Sequence, residues 1–303
     1  MFSARTDTGR GSKASDSAPS EAHVPVMVEE VADFFCGGLR RGLMVDGTAG
    51  AGGHLARLLE ALPDMDFLAV DRDPEAVELL RERFRSTERV TVVQGSYASI
   101  PEILKDGGLE SASAAFFDLG LSSLQLDDPS RGFSFRLDGP LDMRFDSRGG
   151  VTAADLINSL PEKELADIIY QFGQEGRSRR IAGAIVRERP VESSRELGDI
   201  ISSSVRGNPV KIMSRVFQAL RIAVNSELQQ LDELLGAMHQ WTLPGARIAF
   251  ITFHSLEDRK IKLLFRDDER YCQFTPKWLL PREEELSENS RARSARLRLG
   301  VRT

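Results

Sequence analysis

Four glycines lie within residues 47–53, between a short apolar run and a helical pattern. A glycine-rich bend between a strand and a helix lets the backbone approach a ligand closely, with helix N–H groups pointing at it. The dinucleotide fingerprint G-x-G-x-x-G, placed on Gly50 and Gly52, would require a third glycine where Leu55 stands. The loop therefore predicts a ligand that contains an adenosine but no phosphate bridge, and Gly52 and Gly53 are expected to leave room for it.

Three aspartates, Asp46, Asp71 and Asp118, each end an apolar run. An acidic side chain at the end of the second strand can accept hydrogen bonds from both ribose hydroxyls, which predicts this role for Asp71. Asp118 is expected nearest the reactive end of the ligand, and Asp46 is expected to order the glycine loop. Tyr97, which follows the third apolar run, is a candidate to lie along an adenine.

Two histidines invite a chemical role. His54 stands where the glycine loop meets a helix, and it is better placed to hydrogen-bond the loop or the ligand than to carry protons. His254 begins a helix after an apolar run, so a helix cap explains it equally well. No H-E-x-x-H or paired C-x-x-C spacing occurs, so no metal is predicted. Cys36 and Cys272 are expected to be ordinary thiols.

Strands and helices must alternate to position these residues. Apolar runs at 43–46, 67–71, 90–93, 114–118 and 247–253 predict strands, and amphipathic helices separate most of them. This alternation predicts a doubly wound parallel sheet, which brings the strand-end aspartates to one edge. Between the fourth and fifth strands we expect a long ordered loop at 125–150, a small all-α insertion at 152–205 and one long helix at 214–239. The last thirty residues are expected to pack loosely or as an edge hairpin.

Composition is that of an ordinary soluble globular protein, with 41% hydrophobic and 28% charged residues among 303. No apolar run approaches the roughly 18–20 residues of a membrane span, and the polar stretch 1–22 predicts a disordered tail rather than a secretory signal. We therefore expect a cytoplasmic protein with no membrane partner. The net charge is −6, but arginines cluster at 177–189 and at 291–302. Each cluster alone is explained by a solvated face, and together they are compatible with RNA contact.

Several runs together resemble one known family, the bacterial ribosomal RNA small subunit methyltransferase H family, also called MraW. The resemblance covers residues 23–299. It rests on Val-Asp-Gly-Thr-Ala-Gly-Ala-Gly-Gly-His at 45–54, Asp-Arg-Asp-Pro at 71–74, Phe-Asp-Leu-Gly-Leu-Ser-Ser-Leu-Gln at 117–125, and on the runs 126–135, 138–144, 217–227 and 253–259.

The resemblance implies a Rossmann-like class I methyltransferase parallel sheet with an inserted small all-α domain. The methyltransferase domain is expected at 23–128 and 213–303, and the inserted loop and helical substrate-recognition domain at 129–212. Members use S-adenosyl-L-methionine to methylate N4 of one cytosine, position 1402 in the family, in the decoding centre of 16S rRNA. The implied partner is 16S rRNA in the small ribosomal subunit. Oligomeric state is not implied.

Site residues follow from the matched motifs. The implied cofactor-binding residues are Gly50, Gly52, Gly53, His54, Asp71, Tyr97, Asp118 and Gln125. We expect Asp118 or a neighbouring carbonyl to bind the cytosine amine, with Asp142, Arg144, Asn225 and His254 as further catalytic candidates. The family often carries His-Pro-Ala-Thr-Arg where this chain has Lys-Ile-Met-Ser-Arg at 211–215, so no role of that histidine is transferred.

Three other functions remain open. An NAD-dependent oxidoreductase would share the sheet, the glycine loop and the strand-end acid, but the missing third glycine opposes it. A non-catalytic RNA-binding factor would not need all the strand-end carboxylates. A methyltransferase could act on another nucleic acid or on protein. DNA enzymes that modify N4 typically carry a Pro-Pro-aromatic run where Leu119 and Gly120 stand.

Overall fold

The computed structural model describes residues 25–39, 41–109 and 111–303; the predicted tail at 1–22 lies outside them. At its centre is a sheet with strand order β3-β2-β1-β4-β5-β7-β6. The strands are β1 (Gly42–Asp46), β2 (Met65–Asp71), β3 (Val90–Gln94), β4 (Ala112–Asp118), β5 (Thr242–Thr252), β6 (Tyr271–Gln273) and β7 (Arg296–Arg302). β1 to β5 are mutually parallel, and β7 runs antiparallel to both of its neighbours. The predicted Rossmann-like class I sheet is confirmed.

Helices surround this sheet. They are α1 (Val28–Cys36), α2 (Gly53–Ala61), α3 (Pro74–Arg83), α4 (Ile100–Asp106), α5 (Ser123–Asp127), α6 (Ala153–Ser159), α7 (Glu162–Gly173), α8 (Ser178–Arg187), α9 (Ser194–Ser204), α10 (Pro209–Asn225), α11 (Glu227–Trp241), α12 (Ser255–Asp267) and α13 (Glu283–Glu288). Within the described ranges, no helix has the length and apolar composition needed to cross a bilayer.

Alternate side chains of the buried strands enter two separate cores. Met44 and Phe116 pack with α1 and α2 on one face, while Val45 and Phe117 pack with α4, α11 and α12 on the other. Side chains of a strand point alternately to opposite faces, so a strand covered on both faces is apolar throughout. That is why these strands are continuous apolar runs in the sequence.

Residues between β4 and β5 build a third core. The apolar faces of α6 to α9 pack against α10 and against three residues of the long loop, Phe133, Leu141 and Met143. The loop is ordered, as predicted, because these side chains are buried. The expected domain boundary at 212 falls inside α10, whose buried residues on both sides of it, including Ile212 and Val216, belong to this helical core.

The single helix expected at 214–239 is wrong, because two helices meet at Ser226. This residue has φ 52 and ψ 36, the left-handed conformation that ends α10 and precedes α11. Nothing in the sequence marks this break, because the apolar stripe continues from one helix into the next. The Arg221 side chain of α10 forms a salt bridge with Glu227 of α11 and so stabilises the break. The break turns the start of α11 toward the carboxyl ends of the strands.

The expectation of a loosely packed C-terminus is also wrong. The alternative, an edge hairpin, is correct only in that the antiparallel strands β6 and β7 end the sheet, since residues 274–295 separate them. β7 lies inside the sheet, between β5 and β6, and pairs with β5 over six residues from Arg247↔Val301 to Thr252↔Arg296. Two of its arginines pair with one carboxylate. Arg298 is buried and donates to Asp258 at 2.7 and 3.1 Å. Arg296 binds the same carboxylate at 3.0 Å.

The Glu175 carboxylate joins the α7–α8 turn to α10 and yields a stability prediction. Hydrogen bonds from Arg177, and then from Arg215, lower its pKa from 4.5 to about 2. A lowered folded-state pKa stabilises the protein above pH 4.5, and this contribution is lost as the pH falls toward 2. We expect Glu175→Gln to lower the free energy of unfolding at pH 7 by about 1–2 kcal/mol, since both arginines are partly exposed.

Denaturant unfolding at pH 7 and at pH 3 measures this effect, and the difference between wild type and variant should shrink at pH 3. Glu269→Gln, at an exposed glutamate, is the matched control and should change little at either pH. If Glu175→Gln lowers the free energy of unfolding equally at pH 7 and pH 3, the carboxylate charge is not the cause.

Candidate functional site

A cavity of about 560 Å³ opens at the carboxyl ends of β1, β2 and β4. This is where a parallel sheet binds ligands, at the point between β1 and β4 where the strand order reverses. Its volume lies in the usual range for small-molecule sites. Of the predicted residues, Gly50, Gly53, His54, Asp71, Tyr97, Asp118, Gln125 and Asn225 line it, whereas Gly52, Asp142, Arg144 and His254 are not among its lining residues in the described chain.

The glycine loop is tied to the second strand. The Gly50 N–H donates to Asp71 Oδ2 at 2.7 Å, and the Asp73 N–H donates to Asp71 Oδ1 at 2.9 Å. Burial raises the pKa of Asp71 to about 6, against these two hydrogen bonds, which lower it. Each carboxylate oxygen keeps a second lone pair, so Asp71 can hold the loop and still accept from a hydroxyl in the cavity.

Gly52 and Gly53 of the loop allow close packing with neighbouring side chains and do not simply leave space for a ligand. A Cβ on Gly52, which has φ +77, would lie 2.6 Å from the Phe84 ring, and a Cβ on Gly53 would lie 2.4 Å from Pro25. The expectation that these residues leave room for the ligand is therefore wrong for Gly52 and incomplete for Gly53, which also borders the cavity. Their small size brings α2 against its neighbours instead.

Asp118 and Asp46 end adjacent strands with little hydrogen bonding. Asp46 is 1% exposed and accepts one hydrogen bond, from the Thr48 N–H at 3.2 Å, while Thr48 Oγ1 accepts from the Asp118 N–H at 2.6 Å. Within the described chain, neither Asp46 Oδ2 nor Asp118 Oδ1 has a hydrogen-bond partner. Burial raises the pKa of Asp46 to about 7 and that of Asp118 well above its usual range, the latter helped by Asp46 and Glu257.

His54 is held as a neutral ring beside Asp118. Its Nε2 lies 2.9 Å from the Val26 carbonyl oxygen, a pure acceptor, so Nε2 carries the proton and donates it. Burial lowers the pKa of His54 to about 4, which leaves Nδ1 unprotonated at neutral pH. Nδ1 lies 3.8 Å from Asp118 Oδ2. The ring therefore contributes a lone pair to the cavity wall and no positive charge.

The opposite wall carries charges that the sequence analysis missed. Arg221 forks onto Glu227 through two hydrogen bonds of 2.7 and 2.8 Å, across the break between α10 and α11. Glu257, on α12, accepts from the Phe253 N–H at 3.1 Å. All three charged residues line the cavity. Each lies inside a matched motif, 217–227 or 253–259, but only the helix break brings those motifs together.

His254 caps α12 and lies behind this wall. Its Nδ1 accepts from the Glu257 N–H, and its Nε2 lies 3.1 Å from Glu257 Oε1. Although burial alone would raise it, His254 and then Arg221 lower the pKa of Glu257. Glu227, His254 and Glu257 present ligand atoms within 4.8 Å of one another. Both Glu227 oxygens already bind the Arg221 guanidinium, so the group is an ion-pair cluster.

Gln125 connects the start of α5 to the residues that follow β2. In a capping box its Oε1 accepts from the Ser122 N–H at 3.1 Å, and its Nε2 donates to Asp73 Oδ2 at 2.9 Å. Asp73 in turn pairs with buried Arg131 at 2.8 Å. Gln125 thus borders the cavity while its amide links α5 to the residues after β2. Its predicted contact with the cofactor stays a prediction, since the side-chain amide is already engaged with the protein at both ends.

Asn225 and Arg131 fasten the long loop over the cavity. Asn225 Oδ1 accepts from the Phe145 N–H at 2.8 Å, and its Nδ2 donates to the Met143 and Arg221 carbonyls at 2.7 and 3.0 Å. Arg131 donates to the Arg144 and Phe145 carbonyls at 3.0 and 2.9 Å. Two hydrogen bonds from its Nδ2 fix the Asn225 amide, and the oxygen of this amide then holds the Phe145 backbone at the cavity.

Asp142 is paired within the loop rather than directed into the cavity. Its carboxylate accepts from the Arg144 side chain at both oxygens, and Arg144 lowers its pKa against the effect of burial. Tyr97, by contrast, lines the cavity edge-on to Phe117, with its hydroxyl 3.3 Å from the Glu227 carbonyl oxygen. Burial, and then Glu227, raise the pKa of Tyr97, which stays a neutral ring at any physiological pH.

Comparison with known proteins gives one consistent family. The family model described as MraW methylase family matches residues 20–302. Ribosomal RNA small subunit methyltransferase H of Coprothermobacter proteolyticus is 42% identical over 285 residues, which cover 91% of this chain and 95% of the relative. The protein of the same name from Acaryochloris marina is 44% identical over 269 residues, 86% of this chain and 88% of its own. A solved rRNA methylase from Streptococcus thermophilus aligns at TM-score 0.46 and 12% identity, over 93% of this chain and 99% of its own.

The hydrogen bond to Val26 fixes the state of His54 and can be tested by nuclear magnetic resonance. We expect the His54 ring to remain neutral, with the proton on Nε2, from pH 8 down to about 5, because its pKa is about 4. Titration of ¹⁵N-labelled histidine rings measures both properties, and His54→Gln assigns the signal. Titration of the His54 signal near its ordinary value of about 6.5 would contradict this arrangement.

Proposed function

This chain belongs to the MraW methylase family, whose members are S-adenosylmethionine-dependent methyltransferases, and we propose that its acceptor is the N4 amine of a cytosine in 16S ribosomal RNA. The relatives' common name, ribosomal RNA small subunit methyltransferase H, supports the RNA class. The observation that carries the choice of an amine is the Asp118 carboxylate, a buried hydrogen-bond acceptor without a partner at the reactive end of the cavity.

The described residues fit the cofactor. Asp71 would hold the ribose hydroxyls, and Tyr97 offers an aromatic ring for the adenine, beside the loop that contains Gly50. S-adenosylmethionine supplies a methyl group bound to a positively charged sulfur. The unpartnered oxygen of Asp118 and the neutral His54 ring give this wall hydrogen-bond acceptors, and no Lys or Arg of the described chain forms a salt bridge with Asp118. Such a wall favours a cationic group and fits the donor's sulfur end.

The acceptor amine needs a base and alignment. The N4 lone pair of cytosine is delocalised into the ring, so a hydrogen bond from N4–H to a carboxylate raises its electron density and fixes its direction. Asp118 would accept that hydrogen bond and then the proton that N4 loses once its new bond to the methyl carbon has formed. Its raised pKa makes it a stronger base than an ordinary aspartate.

Aromatic side chains close the remaining sides of the cavity. Phe145 stands on the long loop and Phe253 follows β5, and both line it. A Cβ on Gly120 would lie 3.4 Å from the Phe253 ring, so the glycine lets the backbone after Asp118 pass close to this ring. Flat apolar walls of this kind receive a base turned out of its stack. Asp142 and His254 act behind this surface as positioning residues, and Asn225 lines the cavity while its side chain holds Phe145.

The two predicted arginine clusters differ in their availability to RNA. In the C-terminal cluster, Arg296 and Arg298 pair with Asp258, and Arg291 pairs with Asp127, so these three arginines fasten the fold. On α8, in the helical insertion, Arg179, Arg180 and Arg187 are exposed. We infer that this face of the insertion contacts the phosphate backbone of the RNA, which supplies affinity and salt dependence.

Asp118 variants test the proposed acceptor. We expect Asp118→Asn and Asp118→Ala to bind S-adenosylmethionine but to lose methyl transfer to unmodified small ribosomal subunits by about 10²–10⁴-fold, the usual contribution of a positioned general base. Labelled-methyl transfer measures the rate, and mass spectrometry of the digested RNA identifies the methylated nucleoside.

Asp66→Asn, at an exposed aspartate on β2, provides the matched control and should keep the wild-type rate. Wild-type turnover by both Asp118 variants would overturn the role of this carboxylate. A product other than N4-methylcytidine from the wild-type protein would overturn the choice of acceptor.

A further inference from the structure

Asp118 lines the cavity and Asp46 lies behind it on the neighbouring strand, and no Lys or Arg of the described chain forms a salt bridge with either carboxylate. Asp46 and Asp118 end the paired strands β1 and β4, where Asp46 is opposite Phe116. Thr48 connects them, since its N–H donates to Asp46 and its hydroxyl accepts from the Asp118 N–H. Each side chain has one buried oxygen without a partner in the described chain. Two such groups cannot both remain ionised in a buried site without a counter-charge.

The ionisable groups on the surrounding elements do not provide one. From α2, His54 faces Asp118 as a neutral ring, and from β2, Asp71 adds a third carboxylate. From α12, Glu257 raises the pKa of Asp118 further. On the opposite wall, Arg221 of α10 is bound to Glu227 at the start of α11 by two hydrogen bonds. Three further arginines line the cavity and donate elsewhere: Arg72 to the Asn225 carbonyl, Arg83 to the Ala51 carbonyl and Arg291 to the Asp127 carboxylate. About a quarter of the Asp118 side chain is exposed, and it lines the cavity.

We propose that Asp46 and Asp118 make this cavity selective for positive charge at the reactive end of its ligand, so that binding of the methyl donor releases a proton from the pair and the neutral product is held less tightly. The proposal rests on the cofactor of the family and is independent of which RNA atom is methylated. Asp118 is the group in the cavity wall, and Asp46 acts through it from behind.

The methyl donor and its product differ in charge only at the sulfur atom. S-adenosylmethionine and its product S-adenosylhomocysteine share the adenosine, the amino group and the carboxylate. They differ in the methyl group and in the positive charge on sulfur, which only the donor has. Burial makes a proton on the pair favourable while the cavity holds no cation. A sulfonium replaces that proton as the counter-charge, and after methyl transfer the proton lost by N4 restores it.

Calorimetry measures the proton directly. Titrations at pH 7 in phosphate and in Tris, which differ in ionisation enthalpy, give the number of protons released on binding. We expect S-adenosylmethionine and sinefungin, an unreactive analogue with a cationic amine in place of the methylated sulfur, each to release about one proton, and S-adenosylhomocysteine to release far less. Because binding releases a proton, the affinity of both cationic ligands should rise as the pH rises. The increase should reach up to about tenfold per pH unit in the range below the pKa of the pair in the unliganded protein.

Two variants locate the effect. Asp46→Asn should reduce the proton release on binding S-adenosylmethionine and narrow the affinity ratio between donor and product, whereas Asp66→Asn should change neither. Equal proton release by all three wild-type ligands, or an unchanged count in a folded Asp46→Asn variant, would overturn the proposal. The comparison of ligands on the wild-type protein stands even if the Asp46 variant does not fold. No RNA is present, so a different methyl acceptor would leave the result intact.

Discussion

Parallel pairing of β2, β1 and β4 places three carboxylates at one edge of the sheet, and this constraint shapes the rest of the site. The register puts Asp46 level with Ala69 on one side and Phe116 on the other, two residues before Asp71 and Asp118, so the three strand-end side chains lie at the same edge. Backbone N–H groups satisfy Asp71, but Asp46 and Asp118 keep unpartnered oxygens within the described chain. Burying unpaired acids costs folding free energy, and such costs concentrate where ligands bind.

Charge balance divides the cavity into two walls with different functions. On the wall of α10, α11 and α12, Arg221 binds both oxygens of Glu227, while Glu257 accepts from the Phe253 N–H and lies 3.1 Å from His254 Nε2, so the acids of this wall have partners within the protein. On the wall of β1 and β4, Asp46 and Asp118 form no salt bridge with a Lys or Arg of the described chain, and this difference underlies the proposed preference for a cationic ligand. Neutral His54 preserves the imbalance, because a protonated ring at 3.8 Å would supply the missing charge.

Most of the sheet was predictable, because continuous apolar runs and strand-end aspartates are local signals. The glycine loop, Asp71 and Asp118 were found in the same way. What escaped prediction depends on contacts distant in sequence. The break at Ser226 has no glycine or proline to mark it, and it is stabilised by the Arg221–Glu227 pair. Likewise, β7 looks like a charged tail until Asp258 is seen to bind Arg298, 40 residues further along the chain. Gln125, predicted as a cofactor contact, and Asn225, predicted as a catalytic residue, both line the cavity, but their amides are engaged with the protein.

The position of β7 inside the sheet has a consequence for synthesis of the protein. β5 is complete at Thr252, but its free edge pairs with a strand that starts only at Arg296, and β6 pairs with β7 alone. A chain emerging from the ribosome therefore exposes the N–H and C=O groups of an apolar strand while more than forty further residues are made. An open apolar edge is a template for unwanted pairing with other chains. The nascent protein is thus open to such pairing while residues 253–295 are made, when most residues that line the cavity are already present.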